Sequence, residues 1–124
     1  MPTLLYVDDE EAIGRAVGRW FERRGYRVLL ALDIAGAQRL LETSEPDALV
    51  IDIWLGIESG FELLSWIEAQ RPHLVPRVTL VTGELADVHR DSSLWTTRGR
   101  PVVQKPFELT HLLRVVEEAA PSAV

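Results

Sequence analysis

One lysine, Lys105, stands in the run Val102-Val103-Gln104-Lys105-Pro106-Phe107 of a chain that otherwise uses twelve arginines. Two other apolar runs end in carboxylates: Leu4-Leu5-Tyr6-Val7-Asp8-Asp9 and Ala48-Leu49-Val50-Ile51-Asp52. A fourth, Val78-Thr79-Leu80-Val81-Thr82-Gly83, ends in a hydroxyl followed by glycine. If these runs are neighbouring parallel strands, three carboxylates, a hydroxyl and an ammonium meet at one edge of a sheet. Three carboxylates on one rim repel one another, and a hard divalent cation with an oxygen preference offsets that repulsion. An ammonium and a hydroxyl beside such a cation are the remaining parts needed to hold a phosphoryl group. An arginine at position 105 would carry the charge without the compact geometry of the ammonium.

Strands must alternate with helices to deliver these groups. Thr3–Val7 reads as a buried strand, an apolar run without helical spacing. A helix is predicted over Glu11–Arg24, with Ile13, Val17, Trp20 and Phe21 on one stripe, and Gly25 ends it. Tyr26–Ala31 is the second strand, and a helix over Ile34–Glu42 turns Ala37, Leu40 and Leu41 inward. Asp47–Ile51 is the third strand, placed at the sheet centre by its near-continuous apolarity. Ser59-Gly60 opens a helix over Phe61–Gln70 that buries Phe61, Leu64 and Ile67. Pro72 and Pro76 bracket a turn into the fourth strand, Val78–Val81. A further helix is expected around Ala86–Leu94, then a fifth strand over Val102–Gln104. A last helix, Leu109–Ala119, buries Leu109, Leu112, Leu113 and Val116. The pattern implies an α/β fold: a doubly wound, five-stranded parallel sheet with helices on both faces. Such sheets bind ligands at the carboxyl ends of their strands, where the strand order reverses. Asp8, Asp9, Asp52, Thr82 and Lys105 all fall at those ends.

The 124 residues and 14.0 kDa suit one domain, expected over residues 1–120 with a frayed tail at 121–124. A hydrophobic fraction of 47% is that of a folded globular protein. No apolar run approaches the roughly 20 residues that span a bilayer, and no basic-then-apolar leader precedes Leu4, so a cytoplasmic protein is expected. The chain has no cysteine, which excludes disulfides and thiolate metal sites. With a net charge of -6 and only the short basic pairs Arg23-Arg24 and Arg98-Gly99-Arg100, direct nucleic-acid binding is not expected. His73, His89 and His111 are scattered and have no metal-ligand spacing. Trp20 and Trp66 read as packing residues.

In this order and on these elements, the chain resembles the receiver domain of the two-component response regulators from Leu4 to about Ala119. The pieces that carry the resemblance are Asp8-Asp9, Asp52, Thr82 and Lys105-Pro106-Phe107. It implies a flavodoxin-like (βα)5 fold with strand order 2-1-3-4-5. It implies that Asp52 takes a phosphoryl group from a phosphohistidine on a sensor histidine kinase or phosphotransfer protein, in a Mg²⁺-dependent reaction, and slowly loses it to water. The protein would then be a phosphoacceptor, not an enzyme turning over a free substrate. By the same resemblance Asp9 would bind Mg²⁺ directly and Asp8 directly or through water, with Asp52 and the Trp54 carbonyl completing the protein ligands. Lys105 would pair with Asp52 or its phosphoryl oxygens, and Thr82 and the Gly83 N–H would bond those oxygens. The Lys105–Pro106 bond is often cis in the family. A partner kinase would dock near the first helix and the rim loops, and a homodimer would use the face of the fourth helix, last strand and last helix. No effector domain follows Ala119, so the chain is expected to act alone or as a piece of a hybrid kinase or larger regulator.

Three departures from the family pattern bear on function. The family's aromatic residue three positions before the lysine is Val102 here, which puts the usual swing of that ring in doubt. Gly56 stands where proline is common, leaving the loop looser or allowing a backbone angle that proline would not. Trp54, two residues past the acceptor, is expected either to limit water access and slow phosphoryl loss or to pack on the surface or a partner. Glu84, two past Thr82, is the other residue placed to influence that step. Two other functions fit parts of the pattern: a degenerate receiver acting only as a protein-binding module, and a small Mg²⁺-dependent phosphohydrolase. The second usually resembles Asp-x-Asp after the first strand, whereas Asp8 and Asp9 are adjacent. A flavin-binding protein would need a Ser/Thr/Gly-rich loop there.

Overall fold

The computed structural model describes residues 1–83 and 99–119. Strand β1 (Thr3–Val7) leads to α1 (Glu11–Glu22), β2 (Arg27–Ala31), α2 (Ile34–Thr43) and β3 (Ala48–Asp52). Then come α3 (Gly60–Gln70), a 3₁₀ helix (Pro72–Arg77), β4 (Val78–Thr82), β5 (Val102–Gln104) and α4 (Leu109–Ala119). The five strands form one parallel sheet in the order β2-β1-β3-β4-β5. The expected 2-1-3-4-5 order is therefore present. The helix expected around residues 86–94, with Glu84, His89, Trp95 and the tail, lies outside the described residues.

Both faces of the sheet are covered. On one, Leu5, Val7, Leu49, Ile51 and Leu80 pack with Ala37 and Leu41 of α2 and Leu64 and Ile67 of α3. On the other, Leu4, Tyr6, Val50 and Val81 pack with Val17 and Phe21 of α1 and Leu112 and Val116 of α4. Adjacent residues of one strand thus enter opposite cores, which is why the central runs carry almost no polar residue. Ile13, Trp20, Leu40, Trp66, Leu109 and Leu113 are half-buried at the edges of these cores.

Several boundaries differ from the sequence expectation for local reasons. Helix α1 stops at Glu22, because Arg24 and Gly25 donate to Phe21 and Glu22 in a tightened last turn that leads to Gly25 at φ +89°. The Tyr26 N–H turns back to the Phe21 carbonyl, so β2 begins one residue later, at Arg27. Asp52 belongs to β3 and pairs in register with Val81, which seats its side chain on a fixed strand end. The turn between the two prolines is a 3₁₀ helix anchored by fully buried Leu74.

The sequence pattern also missed a small ladder after Asp52. Trp54–Leu55 pairs antiparallel with Glu58–Ser59, and the two-residue connection is Gly56-Ile57. Gly56 has φ +66°, a backbone angle closed to proline and favoured at the first central position of a tight hairpin turn. Of the two roles expected for Gly56, the special angle is the one present. Gly60 is required for a different reason: a Cβ there would lie 2.1 Å from the Asp52 carbonyl oxygen. That close approach brings the start of α3 against the end of β3, where Gly60 N–H donates to the Ile53 carbonyl at 2.7 Å.

Candidate functional site

The carboxyl ends of β1, β3 and β5 meet at one rim. Asp8 follows β1 and is 1% exposed, and Asp52 ends β3 and is 3% exposed. Two carboxylates buried side by side need a compensating charge, and Lys105, one residue past β5, supplies it. Its ammonium lies 2.8 Å from Asp8 Oδ2 and 2.7 Å from Asp52 Oδ2, with Glu10 Oε1 a third acceptor at 3.2 Å. The backbone holds the lysine in place, since its N–H donates to the Thr82 carbonyl at 2.8 Å. The Lys105–Pro106 peptide bond is cis.

The other carboxylate oxygens also have donors. Asp52 Oδ1 accepts the Trp54 N–H at 2.9 Å. Asp8 Oδ1 accepts the Glu10 N–H at 2.9 Å, and Asp8 Oδ2 accepts the Tyr6 hydroxyl at 3.1 Å. Burial pushes the Asp52 carboxyl up to about 6, with the Asp8 charge adding to the rise against the pull of Lys105 and the Trp54 N–H. The Asp52 carboxylate is therefore held less firmly ionised than an ordinary aspartate. For Lys105, burial opposes the charge, but Asp52 and Asp8 together outweigh it and hold the ammonium above the usual lysine range. Burial, then the neighbouring Asp8, likewise raises Tyr6, whose phenol keeps its proton.

A cleft of about 390 Å³ opens over this group, lined by Asp9, Glu10, Asp52, Trp54, Gly56, Gly83 and Lys105. One carboxylate oxygen from each of Asp8, Asp9, Glu10 and Asp52 lies within 4.8 Å of the others. Oxygens on opposite sides of a cation bound at 2.0–2.6 Å are about 4–5 Å apart, so the cluster has the dimensions of a coordination sphere. With oxygen donors alone, it can hold a hard divalent cation.

The structure thus brings together Asp8, Asp9, Asp52 and Lys105, which the strand ends implied, with Trp54 and Gly83, which the resemblance implied. Thr82 is fully buried at the end of β4, directly behind Gly83. Val102 is half-buried at the start of β5 and packs on the core beneath α2 and α3. His73 and His111 are exposed, and His73 pairs with Glu45 away from the rim. Two participants escaped the sequence reading. Glu10 directly follows Asp8-Asp9 and joins the acidic group, while the Tyr6 hydroxyl was hidden in a run that reads as apolar. Period-two spacing puts Tyr6 and Asp8 on one side of the strand, the one signal that could have linked them.

Many known proteins are similar to this chain. Residues 4–117 match the family model described as the response regulator receiver domain. The alkaline phosphatase synthesis transcriptional regulatory protein PhoP of Bacillus subtilis is 32% identical over 97% of this chain and 52% of its own length. Response regulator RR06 of Streptococcus pneumoniae is 29% identical over 92% of the chain and 51% of its own length. The chain spans about half the length of these two relatives, and 24% of the NtrC regulator of a Bradyrhizobium strain. Among solved structures, the receiver domain of NtrX from Brucella abortus superposes with a TM-score of 0.80 at 27% identity, covering 97% of this chain and 99% of that one. No helix among the described residues is long and apolar enough to cross a membrane.

Proposed function

Because the chain belongs to the response regulator receiver domain family, we propose that it accepts a phosphoryl group on Asp52 from the phosphohistidine of a histidine kinase or phosphotransfer protein. One observation carries the reading furthest: the sole lysine places its ammonium within 2.8 Å of both buried aspartates, on the wall of the acid-lined cleft. In the proposed reaction an Asp52 carboxylate oxygen attacks phosphorus. The phosphorus–nitrogen bond of the donor breaks, its electron pair stays on the imidazole, and Asp52 becomes an acyl phosphate. Lys105 then follows the charge from the carboxylate to the phosphoryl oxygens, which the Gly83 N–H and the Thr82 hydroxyl would also bond. Asp8, Asp9, Asp52 and the Trp54 carbonyl would hold Mg²⁺, which when bound neutralises charge on the transferring group. Glu10, exposed beside Lys105, competes with the buried aspartates for the ammonium.

Trp54 lines the same cleft as Asp52, and its bulk is proposed to slow hydrolysis of the acyl phosphate. Val102 supplies no ring to move inward, so output is proposed to pass through the segment after β4, toward a downstream protein or a second copy of the chain. Mass measurement of the intact protein after exposure to phosphoramidate, with and without Mg²⁺, tests the central step beside Asp52→Asn. A gain of one phosphoryl group that needs both Mg²⁺ and Asp52 is expected. Failure with this donor and with a histidine kinase, in folded protein that binds Mg²⁺, would favour a receiver that serves only as a binding module.

A further inference from the structure

Asp8 is held from two sides. Lys105 reaches Oδ2 from the rim at 2.8 Å, while the Tyr6 hydroxyl reaches the same oxygen from within the fold at 3.1 Å. If phosphoryl transfer draws Lys105 toward the transferred group, the side-chain donor left on Asp8 among the described residues is Tyr6. The phenol is fully buried in the core beneath α1 and α4. A phenylalanine would fill nearly the same volume, so packing alone gives no reason for the hydroxyl, which is costly to bury unless bonded. Its position is set by the ring, over which the α1 backbone runs: a Cβ on Gly14 would sit 3.8 Å from the ring's Cδ1. A locked ring directs its oxygen more narrowly than a flexible side chain can.

We propose that the Tyr6 hydroxyl is a positioning group for Asp8, fixing the carboxylate so that its oxygen stays grouped with those of Asp9, Glu10 and Asp52 and meets a divalent cation in one orientation. The inference rests on the reading that these acids hold Mg²⁺. It assigns to β1 a buried donor that acts through a ligand without touching the cation or the phosphoryl group.

The test compares wild type with Tyr6→Phe, and with Tyr26→Phe as a control away from the rim. Mg²⁺ binding is followed by calorimetry, and phosphorylation by phosphoramidate is followed as a function of Mg²⁺. Tyr6→Phe is expected to raise the Mg²⁺ dissociation constant about tenfold, the lower end of what loss of an outer-shell partner costs. The Mg²⁺ concentration giving half the maximal phosphorylation rate should rise by the same factor, and the rate at saturating Mg²⁺ should change little. A merely structural role for Tyr6 would not produce that split. Unchanged Mg²⁺ affinity in folded Tyr6→Phe overturns the role of Tyr6 and leaves the phosphoacceptor reading standing. Wild type that fails to bind Mg²⁺ overturns both. Should Tyr6→Phe not fold, 3-fluorotyrosine at the chain's two tyrosines supplies a second measurement in the native sequence. The ¹⁹F resonance of Tyr6 is expected to move as Mg²⁺ is added while that of Tyr26 stays, and a Tyr6 resonance indifferent to Mg²⁺ overturns the proposal.

Discussion

The rim has a buried half and an exposed half, and they differ in how their groups are held. Asp8, Asp52 and Lys105 sit on strand ends with side chains at most 12% exposed, each meeting named donors or acceptors. Asp9, Glu10, Trp54, Gly56 and Ile57 stand outside them, with Trp54 39% exposed and Ile57 fully so at the hairpin tip. In the inner half, charges out of water are compensated within the fold, so a change there is felt in stability as well as chemistry. In the outer half, solvent screens the charges, so a change is felt less in stability: at Trp54 and Gly56 it alters the cleft wall, and at Asp9 and Glu10 it alters the acidic cluster. One site thus divides into a buried part compensated within the fold and an exposed part screened by solvent.

That division can be broken most severely at Lys105. Lys105→Met strands two buried carboxylates and is expected to cost about 3–5 kcal/mol in urea unfolding of the metal-free protein, with Mg²⁺ recovering part of the loss. A lysine worth less than about 1 kcal/mol would place it with the screened surface pairs and erase the distinction. Next, Gly60→Ala should cost about 1–3 kcal/mol by overpacking, because the new methyl meets the Asp52 carbonyl at 2.1 Å. The expected accompaniment is slower phosphorylation, as the acceptor strand moves.

A pH-dependent effect follows from the Asp52 proton. Its pKa is raised from 3.8 to about 6 in the fold, so between those values the folded protein binds a proton that the unfolded chain has released. Stability of the metal-free protein from this group therefore falls as pH rises through that window, the reverse of a salt-bridged carboxylate with a depressed pKa. Urea unfolding at several pH values should show this component in wild type and not in Asp52→Asn. The smallest stability effect belongs to the outer half. Trp54→Ala should shift unfolding by no more than about 0.5 kcal/mol, yet shorten the acyl phosphate lifetime severalfold. A variant that dephosphorylates no faster than wild type would return Trp54 to a surface or partner role.

How much of this was legible in the sequence varied with the physical origin of each feature. Asp8, Asp9, Asp52 and Lys105 could be placed on one rim because apolar runs of strand length end at each of them, and a parallel sheet aligns such ends. The strand order came from the family resemblance, because alternating strands and helices do not by themselves say which strands are neighbours. The hairpin after Asp52 was not legible: Trp54-Leu55 and Glu58-Ser59 are too short for periodicity, and the meaning of Gly56 depends on a dihedral angle. Glu10 was passed over because a third acid after two looks like the solvated start of a helix. The folded chain joins it to the site through the Lys105 ammonium and the shared acidic cluster.

Tyr6 and Gly60 show where the boundary falls. Hydrophobic alternation, strand length and the chemical type of each terminal residue are local properties written along the chain, and they suffice to name the fold and the site's principal groups. Whether a phenol inside an apolar run meets a carboxylate two residues on, or a helix start leaves room for a methyl against the acceptor strand, depends on how elements pack. Those distances, 3.1 Å for the Tyr6 bond and 2.1 Å for the missing Cβ, arise only when α1 lies on β1 and α3 closes on β3. The chain carries the chemistry as residue types. Close packing of the sheet and helices sets which of those groups touch, and so which carboxylates are buried, paired and reactive.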